Sequence, residues 1–145
     1  MASIRREISI TARPEEVWDA IRDVGAIHTR LARGFVADTT LEDDARVVTF
    51  ANGMVARELI VDLADEARRL VWSVVGGRMS HHNASLQVFD DGRGGARVVW
   101  VADLLPHELK PVIAGMIDQG CAAMKQTLEA DASAAIEPSA ARRHG

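Results

Sequence analysis

Apolar and polar residues alternate over much of the chain before residue 105, a pattern typical of β-strands with one buried face. In residues 4–11, IRREISIT, the apolar side chains fall mainly on every second position. Six further strand-like runs follow: FVADTTLED, RVVTFANG, MVARELIVDLAD, RLVWSVVGG, HHNASLQVFDD and ARVVWVADLL. Asn52-Gly53, between two of these runs, is the strongest short signal for a hairpin. The pattern therefore predicts an antiparallel sheet of about seven strands.

Helical spacing replaces the alternation after the first strand. Residues 14–23 begin with a proline and two glutamates, which suit the first turn of a helix. Val17, Ile21 and Val24 then recur at helical intervals, so we predict a short amphipathic helix here. The piece AIHTRLA that follows is compatible with a second short helix.

A long helix is predicted from about residue 106 to residue 131, with Pro111 in its first turn. Its apolar stripe consists of Leu109, Val112, Ile113, Met116, Ile117, Met124 and Leu128. Gly115 and Gly120 lie inside it, where each glycine costs roughly 1 kcal/mol relative to alanine. Either close approach to the sheet or a ligand favours these glycines, or they are drift that the packing of the helix tolerates.

These elements describe an α+β protein in which a curved sheet wraps around the C-terminal helix. A chain of 145 residues suits one domain with one core, which we place at residues 1–132. Residues 133–145 lack periodicity and are expected to be disordered. A curved sheet closed by one helix leaves space at its wide end, so we expect a ligand cavity there.

Composition excludes several classes of function. The formal net charge of −4 opposes a phosphate backbone and the arginines are scattered, which argues against binding to nucleic acid. No apolar run approaches the roughly 20 residues that span a bilayer. The single cysteine, Cys121, permits neither an internal disulfide nor a thiolate zinc cluster. With no signal-peptide pattern at the N-terminus, we expect a cytoplasmic protein.

Four segments together carry a resemblance to a known family: ITARPEEVWDAIRDV, the FANGMVARELIVD hairpin, RRLVWSVV, and VVWVADLLP leading into the final helix. Over about residues 3–131 the chain resembles the START and birch-pollen-allergen-like (SRPBCC) superfamily, whose members share a helix-grip fold. Within it, the chain looks most like the bacterial polyketide cyclase/dehydrase and lipid-transport group. The resemblance implies an internal cavity, but members range from hydrophobic-ligand carriers to cyclases and co-chaperone-like proteins, so it transfers no catalytic set.

Two adjacent histidines begin the sixth predicted strand. Consecutive strand residues point to opposite faces, and an inward-facing set of Ala84, Leu86 and Val88 places His82 toward the cavity and His81 outside. One role for His82 is to form a hydrogen bond with a ligand or to act as a general base on it. The alternative is a histidine at the cavity edge whose ring is hydrogen-bonded by a neighbouring group. A metal site is not expected, because no second ligand stands at suitable spacing on the same face.

The strand MVARELIVDLAD has charged residues on both faces, Arg57 on one and Glu58 on the other. Periodicity alone puts Arg57 inward, but either residue could border the cavity as an anchoring or acid/base group, where it would need a partner. A solvent-exposed ion pair is the alternative role for at least one of them.

Several other side chains could contact a ligand. Trp72 and Trp100 fall on the more apolar faces of their strands, where tryptophan serves equally as pocket wall or as core. Asp103 and His107 flank the junction before the long helix, and Asp103 could instead cap that helix. We expect solvent around His28 and simple packing for Trp18. The full expected set of ligand-binding residues is Trp72, His82, Trp100, Met116, Arg57 and Asp103.

The leading hypothesis is a protein that holds a small hydrophobic or aromatic molecule in an internal cavity without a cofactor. One alternative is a cyclase or dehydratase acting on a polyketide-like precursor, with His82, alone or together with Glu58, moving protons. A second alternative is a protein-partner module, for which an exposed apolar patch would be diagnostic. An enzyme would need at least two polar groups converging in one cavity. Homodimer formation is left open by the sequence.

Overall fold

Seven strands form one antiparallel sheet, as the alternating pattern predicts. A computed structural model describes the backbone of residues 2–144 and the side chains of residues 2–135. The strands are β1 (Ala2–Ile10), β2 (Val36–Glu42), β3 (Ala45–Phe50), β4 (Val55–Ala64), β5 (Arg69–Val75), β6 (His81–Asp90) and β7 (Ala96–Leu105). Their order in the sheet is β1-β7-β6-β5-β4-β3-β2, so the first strand pairs with the last.

Two α-helices and two shorter helical turns complete the fold over the described residues. The first helix, α1 (Pro14–Arg22), starts with its proline in the first turn followed by two glutamates, as predicted. A π-helical turn (Ile27–Leu31) corresponds to the predicted second short helix. A 3-10 turn (His107–Leu109) leads into the long helix α2 (Lys110–His144), which has Pro111 in its first turn. The backbone of α2 is helical through residue 144, which includes most of the segment 133–145 that we expect to be disordered; the side chains of that segment are described only for residues 133–135.

The β3–β4 hairpin turns at Asn52-Gly53, which confirms the hairpin prediction. Gly53 has a φ of 90°, a left-handed conformation that glycine adopts without strain. Counting back from the turn, Thr49 pairs with Val55 and Arg46 pairs with Glu58. This register decides which charged side chains meet across the two strands.

Helix α2 lies on the concave face of the sheet, and the later part of the predicted stripe is buried there. Ile117, Cys121, Met124 and Leu128 are buried in one core with inward residues of the sheet. Polar contacts also tie the helix to β1 and its end: Arg6 Nε donates to Asp118 over 2.6 Å, Lys125 Nζ to the Ser9 carbonyl over 2.6 Å, and Thr11 N to Glu129 over 2.8 Å. This arrangement is the helix-grip fold. Within the described residues, none of the helices is long and apolar enough to cross a membrane.

The two glycines of α2 have different surroundings. A Cβ on Gly120 would lie 3.0 Å from two ring atoms of Trp100 and 3.2 Å from the Phe35 ring, so this glycine permits close packing of the helix on two aromatic side chains. A Cβ on Gly115 would meet nothing within 4 Å. Close approach therefore explains Gly120 and does not explain Gly115.

Candidate functional site

A cavity of about 310 Å³ lies between the first half of α2 and the concave face of strands β3 to β6. It forms where the sheet curves away from the helix, whereas β1 packs closely against α2. Most of the lining is apolar, and it includes Phe35, Val48, Trp72, Val74, Leu86, Trp100, Met116 and Met124. The polar side chains in the lining include Arg46, Glu58 and His82. A volume of this size is at the lower end of the range for small-molecule sites.

The mouth of the cavity lies between the β3–β4 hairpin and the start of α2. Met54 and Val55 at the hairpin and Val112 on the helix all line the cavity and are more than half exposed. Gly76 and Gly77, between β5 and β6, border the same opening. An apolar rim of this kind offers a path from solvent into the interior.

A buried ion pair forms one polar centre of the cavity. Arg46 Nε donates to Glu58 Oε1 over 2.8 Å, and the two side chains are only 4% and 9% exposed. The Arg46 guanidinium also lies over the Trp72 ring, 5.5 Å from its centroid. Burial raises the pKa of Glu58 above its ordinary value, and the Arg46 charge offsets part of that rise. The pair can therefore offer charge, hydrogen bonds or a proton to a bound molecule.

Two tryptophans form an aromatic wall. Trp72 and Trp100 pack edge to face, with ring centroids 5.9 Å apart and planes at 61°. The Trp100 Nε1 atom is buried and has no hydrogen-bond partner among the described residues. Such pairs supply a large, rigid apolar surface, which suits a flat ligand.

His82 is buried and faces the cavity, on the side that strand alternation predicts, while His81 is exposed. The backbone N–H of Val74 donates to His82 Nδ1 over 3.0 Å. Burial lowers the pKa of His82 to about 4, with nearby His81 adding to the effect. The imidazole is therefore neutral near pH 7, and because Nδ1 is an acceptor, its proton resides on Nε2.

The two polar centres lie along one line that crosses the sheet. Arg46 pairs with Glu58, Glu58 pairs with Val74, and Val74 bonds His82. Since adjacent strands are about 4.8 Å apart, the backbones at Glu58 and His82 are roughly 10 Å apart, with Val74 between them. A bound molecule could contact both centres, and no hydrogen bond joins the side chains of Glu58 and His82 among the described residues.

Glu58 faces the interior and Arg57 does not, so the inward placement of Arg57 from periodicity is wrong. The Arg57 side chain is 47% exposed and its Nε lies 3.5 Å from Glu42 Oε2 at the surface. A charged residue on the buried face needs a partner, and β3 provides one for Glu58 in Arg46. Arg57 borders the rim of the cavity, but its guanidinium takes part in the predicted solvent-exposed ion pair.

The remaining predicted residues divide between cavity and surface. Met116 lines the cavity as expected. Asp103 stands opposite Ser3 and Asn83 on the outer face of the sheet, between the buried residues Ala102 and Leu104 that face inward. The structure therefore does not bring Asp103 to the cavity, nor does its side chain cap the 3-10 turn.

Three other side chains considered in the sequence, those of His107, His28 and Trp18, contact neighbouring protein groups. His107 is exposed beside Glu108, and His28 Nδ1 lies 3.2 Å from the Thr39 hydroxyl rather than in open solvent. Trp18 is packed in the core, and its Nε1 donates to Asp65 over 2.9 Å. None of these three lines the cavity.

Arg46 is the polar cavity residue that the sequence interpretation missed. Its strand, ARVVTF, has too few residues for alternation to reveal an inward arginine. The hairpin contained the necessary signal: pairing outward from Asn52-Gly53 sets Arg46 opposite Glu58, and opposite charges are favourable at such a position.

Metal binding and thiol chemistry find no support in the described part of the chain. No group of three or more histidine, cysteine or acidic side chains there is close enough to hold a metal ion. Cys121 is buried in α2, and burial raises the pKa of its thiol to about 11, so the reactive thiolate is disfavoured.

Comparison with known proteins extends these observations. The family described as polyketide cyclase / dehydrase and lipid transport matches residues 1–129. No curated protein matches the sequence significantly. Among solved structures, the protein XoxI from Bacillus cereus superposes with a TM-score of 0.79 at 19% identity, covering 88% of this chain and 96% of that one.

Two further solved structures share the fold. Norcoclaurine synthase from Thalictrum flavum superposes with a TM-score of 0.67 at 17% identity, covering 86% of this chain and 84% of its own. A START superfamily protein from Mycobacterium smegmatis gives 0.67 at 11% identity, covering 90% and 97%. At these identities the likeness establishes the fold alone.

Proposed function

The chain belongs to the polyketide cyclase / dehydrase and lipid transport family, and we propose that it binds a small hydrophobic or aromatic molecule in the cavity between sheet and long helix. The observation that carries this proposal is a cavity of about 310 Å³ with a mostly apolar lining and an open apolar rim. A protein with no use for this space would gain stability by filling it, since empty apolar volume costs packing energy.

The aromatic wall and the position of the polar groups favour a flat ligand over a flexible one. Trp72 and Trp100 present a rigid surface, and the Arg46 guanidinium is already held above Trp72. A ring system can stack here without losing much conformational entropy. A polar edge on the ligand would find partners at Glu58 or His82.

Calorimetric titration with naphthalene, fluorene and 9-fluorenone tests the proposal. We expect wild-type protein to bind at least one of these compounds. Met116→Trp, which adds a ring inside the cavity, should weaken that binding by about tenfold or more. Gln119→Trp, on the exposed side of the same helix, is the matched control and should bind like the wild type. Absence of binding to wild type, or equal binding by all three proteins, would overturn the proposal.

A proton-transferring cyclase or dehydratase is the second candidate function. It is favoured by the presence of two polar centres, the Arg46–Glu58 pair and His82, in one cavity. His82 is a poor general base in this arrangement, because its Nδ1 already accepts a hydrogen bond and its pKa is about 4. Glu58, with its raised pKa, is the better candidate for an acid or base.

Turnover of an aromatic polyketone precursor by wild type and by Glu58→Gln separates the two functions. An enzyme of this kind should lose at least about a hundredfold in rate in the variant, while His82→Gln should retain much of it. Binding of the precursor without conversion would leave ligand binding as the function and exclude this candidate for that substrate.

Most of the exposed large apolar side chains can be explained without a protein partner. Met54, Val55 and Val112 border the cavity, and we assign them to ligand access, whereas Leu41 and Val61 do not line it. A partner module is therefore less well supported than a binding cavity.

A further inference from the structure

We infer that the ligand of this cavity carries a hydrogen-bond-accepting oxygen of the aromatic ketone or quinone type, which receives the Nε2–H of His82. The inference rests on the proposed function and adds the chemical class of the ligand. It also assigns His82 a role as hydrogen-bond donor in place of acid/base catalyst.

The tautomer of His82 follows from its backbone contact. The Val74 N–H can only donate, so Nδ1 must be the acceptor and the single proton of the neutral ring lies on Nε2. Nε2 donates no hydrogen bond to another described residue, and His82 as a whole residue is only 7% exposed. The low pKa of His82 keeps the ring neutral, and hence in this donor form, at ordinary pH.

His82 is part of the cavity lining, on the same face of β6 as Ala84 and Leu86, so a ligand in the cavity can reach its ring. The ring also borders a second pocket that contains Ser73 and Asp103. The cavity lining around the ring is largely apolar, with Val74 and Met79 nearby. When a ligand displaces water from such a place, a donor left without an acceptor is unfavourable. A ligand oxygen at this point satisfies the donor.

The Arg46–Glu58 pair differs chemically from His82, so the two centres favour different parts of the ligand and orient it in the cavity. Arg46 and Glu58 neutralise each other through their hydrogen bond, so they do not demand a charged group from the ligand. A neutral molecule fits both centres when its oxygen lies next to His82 and its aromatic ring system packs against Trp72, beside the Arg46–Glu58 pair. A plain hydrocarbon of the same shape matches only the apolar lining.

The test compares 9-fluorenone with fluorene, which has the same ring system but lacks the carbonyl oxygen. Wild-type protein should bind the ketone about tenfold more tightly, as expected for one hydrogen bond in a buried site. His82→Leu should reduce that preference to about one. His81→Leu, the same substitution at the neighbouring outward position, should preserve it.

A wild-type measurement keeps the inference testable if His82→Leu does not fold. The imidazole nitrogen resonances of His82 should move when 9-fluorenone is added and stay nearly constant with fluorene. Equal binding of both compounds, or a preference that survives in His82→Leu, would overturn the inference and leave the proposed function intact. Failure of both compounds to bind would instead count against the proposed function.

Discussion

The two ends of the helix–sheet interface use the same sheet and the same long helix but are packed differently. At the closed end, where α1 covers the sheet, the side chains are almost inaccessible; it includes Ile10, Val17, Ile21, Leu70 and Val98. At the open end, Ile113 and Met116 of α2 are only half-buried and face the cavity with Trp72 and His82. One end is a solid core, and the other encloses the cavity that we propose as a binding site.

The difference teaches how one core can combine stability and function. The closed end resembles an ordinary protein interior, in which each side chain is surrounded by others. The open end holds the cavity and a buried ion pair, two features that do not maximise stability. Close packing at the closed end therefore offsets the stability that the cavity and the buried ion pair do not provide at the open end.

The largest effect is expected at the buried ion pair of the open end. Arg46→Met leaves Glu58 buried without its partner and should lower the free energy of unfolding by about 3–5 kcal/mol at pH 7. Arg46→Met with Glu58→Leu should cost much less, because no uncompensated charge remains. Urea denaturation of the single and double variants measures both values. Equal loss in the two variants would show that packing, and not charge, dominates at this pair.

Truncation at the closed end should cost nearly as much and leave binding unchanged. Leu70 is fully buried, so Leu70→Ala should lower the free energy of unfolding by about 2–5 kcal/mol. Val112→Ala at the rim should change it by less than about 0.5 kcal/mol. Denaturation with parallel ligand titration checks both variants, and a large cost at Val112 would contradict the proposed distinction between the ends.

The pH dependence of stability should report on His82. Its pKa is about 6.5 when unfolded and about 4 when folded, so the unfolded state binds more protons between these values. The associated stability is complete above pH 6.5 and is lost as the pH falls toward 4, by up to roughly 3 kcal/mol. The difference between wild type and His82→Gln isolates this effect from shared carboxylates. A difference that does not vary with pH would contradict burial of a neutral imidazole.

The smallest effects separate the two helix glycines. Gly115→Ala should stabilise the protein by up to about 1 kcal/mol, because the added methyl group meets nothing. Gly120→Ala should destabilise it, since the methyl group would press on Trp100 and Phe35. Thermal denaturation of the two variants gives the signs, and stabilisation by both would show that α2 can move away from the aromatic wall.

Much of the fold could be predicted from the sequence, because strand alternation, the Asn-Gly turn and the apolar stripe of α2 each act locally. The orientation of His82 followed from the same alternation. The choice between Arg57 and Glu58 did not, because it depends on a partner twelve residues away from Glu58 on β3. The cavity itself depends on how far the sheet curves from α2, which no local pattern specifies.

An NMR titration of wild-type protein with 9-fluorenone tests the central claim most directly, because it reports on both ends at once. If the open end is the binding site, shift changes and ligand contacts will concentrate at Trp72, His82 and Met116, while Val17 and Leu70 stay unperturbed. Changes confined to the outer face of the sheet, or spread equally over both ends, would contradict the account.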